Sequence, residues 1–234
     1  MIVGAAVCPG APFLIPGVAD PLALARADLV DACRTAVRPL ADADRIVVVA
    51  GGRRTVVFPA GTVGSQTGAP AVLRSDLHPP VCRPVLPVGA VVGQALLERT
   101  FPGGVPVPVD LVETGDDPDI AAAAVRHRAG ARDALLVIAD GAATHDDHSP
   151  GRRDDRAGPF DDALAAALAA GDPAALADAC ADGELAAALL AVTGPLRVLA
   201  GLTSTDPPVS AELLHRAAPY GVGYLVAAWR WPGR

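Results

Sequence analysis

Aromatic residues are scarce in this sequence, at 3% of its 234 positions, so any core has to be filled by small and branched aliphatic side chains. Charged residues are also few, 19% against 51% hydrophobic, which excludes a chain held open by its own charge. Positive charge is the scarcer sign: 19 basic residues, with arginine supplying that side, meet 26 acidic ones for a formal charge of −7. That balance excludes the basic footprint of a nucleic-acid binder. No apolar run approaches the roughly 18 residues of a membrane span, and the apolar residues 1–10 lack a basic flank and break at Pro9. The expectation is therefore a soluble, cytoplasmic chain with neither a nucleic-acid nor a membrane partner. The four cysteines, Cys8, Cys33, Cys82 and Cys180, fit no zinc or iron–sulfur spacing. They read as small buried hydrophobes, Cys8 being partly exposed at a strand end. Glycine and proline are not scarce, at 24 and 23 residues, but they lack the triplet period of collagen.

The length fits one domain over residues 1–234. Residues 2–8 read as a buried strand that Pro9 and Pro12 terminate, because proline removes a ladder donor and restricts its neighbour. Asp20 and Pro21 suit the N-cap and first position of a helix running toward Pro39. Residues 46–50 form an aliphatic strand closed by Gly51 and Gly52. This strand, helix, strand order predicts a parallel sheet with right-handed crossovers. Residues 53–87 read as a loop excursion with a strand at 55–58. A helix is expected at 89–99, and an edge strand at 105–113 because of Pro106 and Pro108. A further helix should start at Asp117-Pro118 and continue over 121–128. The clearest central strand is 134–139. Three short helices are expected at 160–170, 174–180 and 184–192, then a strand at 198–202, a helix at 210–217 and a strand at 221–229. The fold class that follows is α/β, a single three-layer domain with a mainly parallel central sheet.

Ligands of open α/β sheets bind beyond the carboxyl ends of the strands. Cys8-Pro9-Gly10, Gly51-Gly52-Arg53-Arg54 and the segment from Asp140 to His148 all sit at such ends, so the three loops should share one rim. None is a dinucleotide or phosphate-binding glycine loop. The third carries most of the chemistry: His145 and His148 lie with Asp140, Asp146 and Asp147 within nine residues. An imidazole exchanges protons near neutral pH, and a carboxylate can fix its tautomer. His145 is the candidate proton-transfer residue and Asp140 the second catalytic candidate, with Asp140 or Asp146 orienting the imidazole. Arg53 or Arg54 would receive an anionic group. The alternative for this segment is a solvated acidic loop in which His148 is incidental. No serine or cysteine has the setting of a nucleophile.

Taken together, Cys8-Pro9 with Pro12, Asp140-Gly141 with Thr144-His145, Pro159-Phe160-Asp161, Gly171-Asp172 and the segment from Ala218 to Tyr224 resemble the class III extradiol ring-cleavage dioxygenase family, in the branch built like its B-type subunit. The resemblance spans nearly the whole chain and points more narrowly to the small actinobacterial proteins of that branch. It implies an α/β fold and, in active members, an Fe(II) centre that cleaves catechol-type rings with O₂. His145 matches the family's acid/base histidine. The first metal histidine is expected at about Gly10 and the second within residues 51–58, which contain no histidine; the metal-binding glutamate has no match near residues 192–194. The metal ligands of this chain are thus unknown from sequence, and the iron centre is expected to be absent or strongly altered. His78 is a candidate substitute ligand.

Two functions follow as expectations. One is a divergent dioxygenase-like protein acting on or binding a small aromatic compound, or an anionic one. The other is a non-catalytic ligand-binding or protein-interaction protein on the same scaffold. Trp229 and Trp231 suit either a terminal packing site or a contact between copies in a homo-oligomer.

Overall fold

Aliphatic strands make the centre of the sheet, and a three-residue strand and a partly exposed one form its two edges. The computed structural model describes residues 1–18, 23–58, 86–115, 117–127 and 132–232. Strands β1 (Ile2–Cys8), β2 (Arg45–Gly51), β4 (Val109–Thr114) and β5 (Asp133–Ile138) lie parallel in the order β4-β2-β5-β1. Three antiparallel strands complete one seven-stranded sheet: β3 (Val56–Phe58) outside β4, then β7 (Tyr224–Arg230) beside β1 and β6 (Ser210–Ala217) outside β7. The sheet is therefore mixed rather than mainly parallel. Its parallel centre obeys the crossover rule, while the short link between β6 and β7 allows only a hairpin.

Side-chain alternation divides the core into two layers. Val47, Val49, Leu135 and Val137 face one cluster, whereas Ile46, Val48, Leu136 and Ile138 face the other. Helices α1 (Ala23–Val37) and α2 (Val88–Thr100) cover the second face. The first is covered by α3 (Pro118–His127), α4 (Ala157–Ala170), α5 (Pro173–Ala179), α6 (Gly183–Ala188) and α7 (Gly194–Thr203). Local signals account for several of their ends. Asp117 and Asp172 accept backbone N–H groups of the helices they precede, and α4 stops at Gly171 in the left-handed region, φ 63°.

Four expected elements differ, the first being the helix expected at 184–192, which ends at Ala188 and leaves Val192 to bridge Asp140. Residues 198–202 belong to α7, not a strand: Leu196, Leu199, Ala200 and Thr203 are buried at helical spacing, which a five-residue aliphatic window cannot distinguish from a strand. Residues 210–217 form β6 rather than a helix, because β7 offers a partner along nearly their whole length. The strand expected at 105–113 begins only at Val109, so Pro106 and Pro108 lie before it and leave β4 free to pair on both sides. Cys8 is fully buried, not partly exposed. The helix start at Asp20-Pro21, most of the excursion with His78 and Cys82, and Arg128 lie outside the described residues. Trp229 and Trp231 are both buried, and their indole N–H groups donate to Leu168 O and Asp206 O, a terminal packing site. Among the described residues no helix is long and apolar enough to cross a membrane.

Candidate functional site

Because β2, β5 and β1 are adjacent and parallel, the loops after Ala50, Ala139 and Cys8 emerge on one rim. The chain leaving β5 stays attached to the sheet for one more residue, Ala139 N–H donating to Cys8 O at 3.0 Å. It then zips to the segment before β7. Gly141 N–H donates to Gly223 O, Gly223 N–H to Ala142 O (each 2.8 Å) and His145 N–H to Gly221 O (3.3 Å). This backbone ladder, not a local turn, holds His145.

The imidazole is oriented from α4. Asp161 Oδ2 lies 2.7 Å from His145 Nε2, and Asp161 Oδ1 accepts Ala142 N–H at 2.8 Å. The carboxylate accepts, so the proton of the neutral ring resides on Nε2 and the Nδ1 lone pair is free; no described residue bonds to Nδ1. The His145 side chain is 21% exposed, Asp161 only 3%. Gly141 and Gly223 make room for Asp161, since a Cβ at either would overlap its carboxylate. Burial raises the Asp161 pKa, opposed by the Ala142 N–H, by His145 and by the charge of Arg216.

Asp140 does not orient the imidazole. Its Oδ1 accepts Gly10 N–H at 2.9 Å, tying the β5 loop to the β1 loop. Burial pushes its carboxyl from 3.8 up to about 6, against the stabilising Gly10 N–H. Asp146 accepts the N–H of His148 and bonds Ser149, closing its own turn. His148 and Asp147 are exposed. Neither Asp140 nor Asp146 is the partner of His145. Asp161 is, and the sequence shows it only within a motif, because sixteen positions and a helix start separate the two groups. Arg53 and Arg54 are exposed, and Arg53 is tied through its backbone N–H to Glu113 Oε1 at 2.8 Å. His215 stands on β6 and His127 at the end of α3, both away from the pair in sequence and element.

Aromatic side chains gather where β1 and β7 approach this rim. Phe13, in the turn Pro12–Leu14 after β1, meets Tyr220 and Tyr224 with ring centroids 5.3 and 5.7 Å apart. Tyr220 adjoins Gly221, whose carbonyl holds His145 N–H.

The residues present do not fit the iron that the resemblance implies. An added Cβ at Gly10 would lie 2.8 Å from Asp140 Oδ2, and one at Gly51 would lie 2.6 Å from Val192 Cγ1, so neither position has room for an imidazole. Among the described residues no group of three or more His, Cys, Asp or Glu side chains is arranged to hold a metal ion.

No family model matches the chain, and no curated protein matches it. Among solved structures it is similar to an uncharacterized protein from Escherichia coli K12, with 14% identity and a TM-score of 0.52 over 97% of this chain and 99% of that one. The likeness extends to the α/β fold.

Proposed function

We propose that the chain is a divergent, extradiol-dioxygenase-like protein that takes a small hydroxylated aromatic compound at the carboxyl-end rim and removes a proton from it. The reading rests on one observation above the others: His145 presents an unpartnered Nδ1 while its Nε2 is fixed by a nearly enclosed Asp161. That is the arrangement of a general base whose tautomer is set by a carboxylate. Tyr220, half-buried, supplies aromatic surface beside the rim, and Asp140, its carboxyl pushed up to about 6, is a second proton-exchanging group there. The step itself needs no metal, since the base is an imidazole, and neither Gly10 nor Gly51 has room for a metal-binding side chain. The buried free thiols of Cys8, Cys33 and Cys180 suit a reducing, cytoplasmic setting, and the acidic balance suits a small-molecule ligand over nucleic acid.

The test is a set of catechols, phenols and hydroxybenzoates offered to wild type and to His145→Gln under oxygen, followed by ligand-observed NMR and product analysis. Turnover by wild type that falls about 10² to 10⁴-fold in the folded variant is the expected result. Equal turnover by both proteins rejects the role of His145. The crowding of Gly10 by Asp140 favours a second reading, a non-catalytic binder: ligands would then bind to wild type and variant alike without any product.

A further inference from the structure

A cleft opens on the same rim beside the carboxyl ends of β2 and β4, with a volume of about 450 Å³. Gly52 leaves β2 there, Thr114 and Gly115 end β4, and Thr193 and Gly194 begin α7. Glycine at these places lets backbone approach a ligand closely. Arg197, one turn into α7, is the ionisable side chain lining the cleft among the described residues, and it forms no ion pair. Glu113, the carboxylate that packs against Gly52, is not part of the lining, and its Oε1 already accepts Arg53 N–H.

Two threonine hydroxyls line the cleft, and one of them has no protein partner among the described residues. Thr193 is only 8% exposed, yet its side chain does not cap α7 and makes no hydrogen bond among the described residues. Its oxygen keeps an open face, unlike Thr144 Oγ1, which is also unpartnered but fully enclosed away from this cleft. Thr114, 2% exposed, has only a 3.4 Å contact to Gly115 O, at the outer limit of hydrogen bonding. An accessible hydroxyl with no protein partner is open to a ligand, as donor or acceptor. The uncapped first turn of α7 and the free guanidinium both favour negative charge at that point.

We infer that this cleft binds the carboxylate of a small organic monoanion, held by Arg197 and the Thr193 hydroxyl at the start of α7. One guanidinium in the lining among the described residues matches a single negative charge better than a phosphate dianion, and the alanine-rich wall from α6 accommodates an apolar remainder. The site stands independently of the role assigned to His145, and its occupant need not be the compound that His145 deprotonates.

Benzoate is the probe, with benzamide as its neutral counterpart and inorganic phosphate as the competing anion. Two-dimensional NMR of the full chain follows the amide signals of Gly52, Gly115 and Gly194. Benzoate should shift these signals, benzamide should not, and phosphate should bind more weakly than benzoate. Arg197→Gln, an exposed substitution, should weaken benzoate by about tenfold or more, and Thr193→Val should weaken it by a smaller factor. His145→Gln should leave the affinity unchanged, which separates this site from the proton-transfer pair. Equal response to benzamide, tighter binding of phosphate, undiminished binding by Arg197→Gln, or no shift of these glycines would each overturn the inference.

Discussion

At the scale of single residues, Asp161 does for His145 what no neighbour in sequence can do. Asp161→Asn would keep an oxygen for Ala142 N–H but turn an amide N–H toward Nε2, favouring the opposite ring tautomer. Turnover should drop by about 10⁴-fold, the effect such a tautomer switch has in a serine protease triad. Imidazole ¹⁵N shifts should show the His145 proton moving from Nε2 to Nδ1. An unmoved proton with full activity would exclude the orienting role. Gly223→Ala probes the same carboxylate sterically: its methyl must displace Asp161, so stability should fall by about 1 to 3 kcal/mol in urea unfolding. Asp140 is read through pH. Folding raises its pKa from 3.8 to about 6, so its contribution to stability is fully present below the unfolded value and is lost as pH rises through about 6. Above that, keeping the carboxylate ionised in the fold is unfavourable by up to about 3 kcal/mol. Asp140→Asn retains an acceptor for Gly10 N–H, and its stability advantage over wild type should grow between about pH 4 and pH 6 and then level off. A constant difference across that range would contradict the assignment.

Secondary-structure elements differ in how plainly the sequence declares them. β1, β2 and β5 are legible because doubly covered strands are continuous aliphatic runs, and their common rim follows from adjacency. α7 and β6 depart from their sequence-based expectations for one reason. A short apolar or mixed stretch takes its conformation from what it packs on, and neither the face that receives α7 nor the β7 edge that receives β6 is visible locally. The same logic hides Asp161, which acts across a helix boundary. His145 and Asp140 stand out because they follow the most strongly hydrophobic strand, although the partnership expected between them does not form. At the opposite end of the sheet, Arg45 pins three strands together: it forks onto Asp133 at 3.0 Å for both oxygens and reaches Asp110 at 2.8 Å. Asp133 is completely buried, so Arg45→Met would take from its carboxylate both charge-assisted bonds of the guanidinium fork. Unfolding experiments should show a loss of about 3 to 5 kcal/mol. A loss below about 1 kcal/mol would mean that the network is not holding β2, β4 and β5 in register.

The whole molecule separates structural from chemical work along the strand axis. One rim holds the buried ion-pair network, while the other holds His145, Asp161 and Asp140 together with the glycines that make room for them. The ladder from residues 141–145 to 221–223 is built of backbone hydrogen bonds, tied down by the Asp161 and Ser149 side chains, so holding His145 in place needs no metal. In the proposed chemistry His145 accepts a proton from a hydroxyl of a bound aromatic compound. Nitrocatechol tests it most directly, because its absorption spectrum distinguishes the neutral phenol from the phenolate. With metal chelated and the pH held below the compound's own pKa, wild type should bind nitrocatechol and show the phenolate spectrum, whereas His145→Gln should show the neutral one. Identical spectra from both folded proteins would contradict the account.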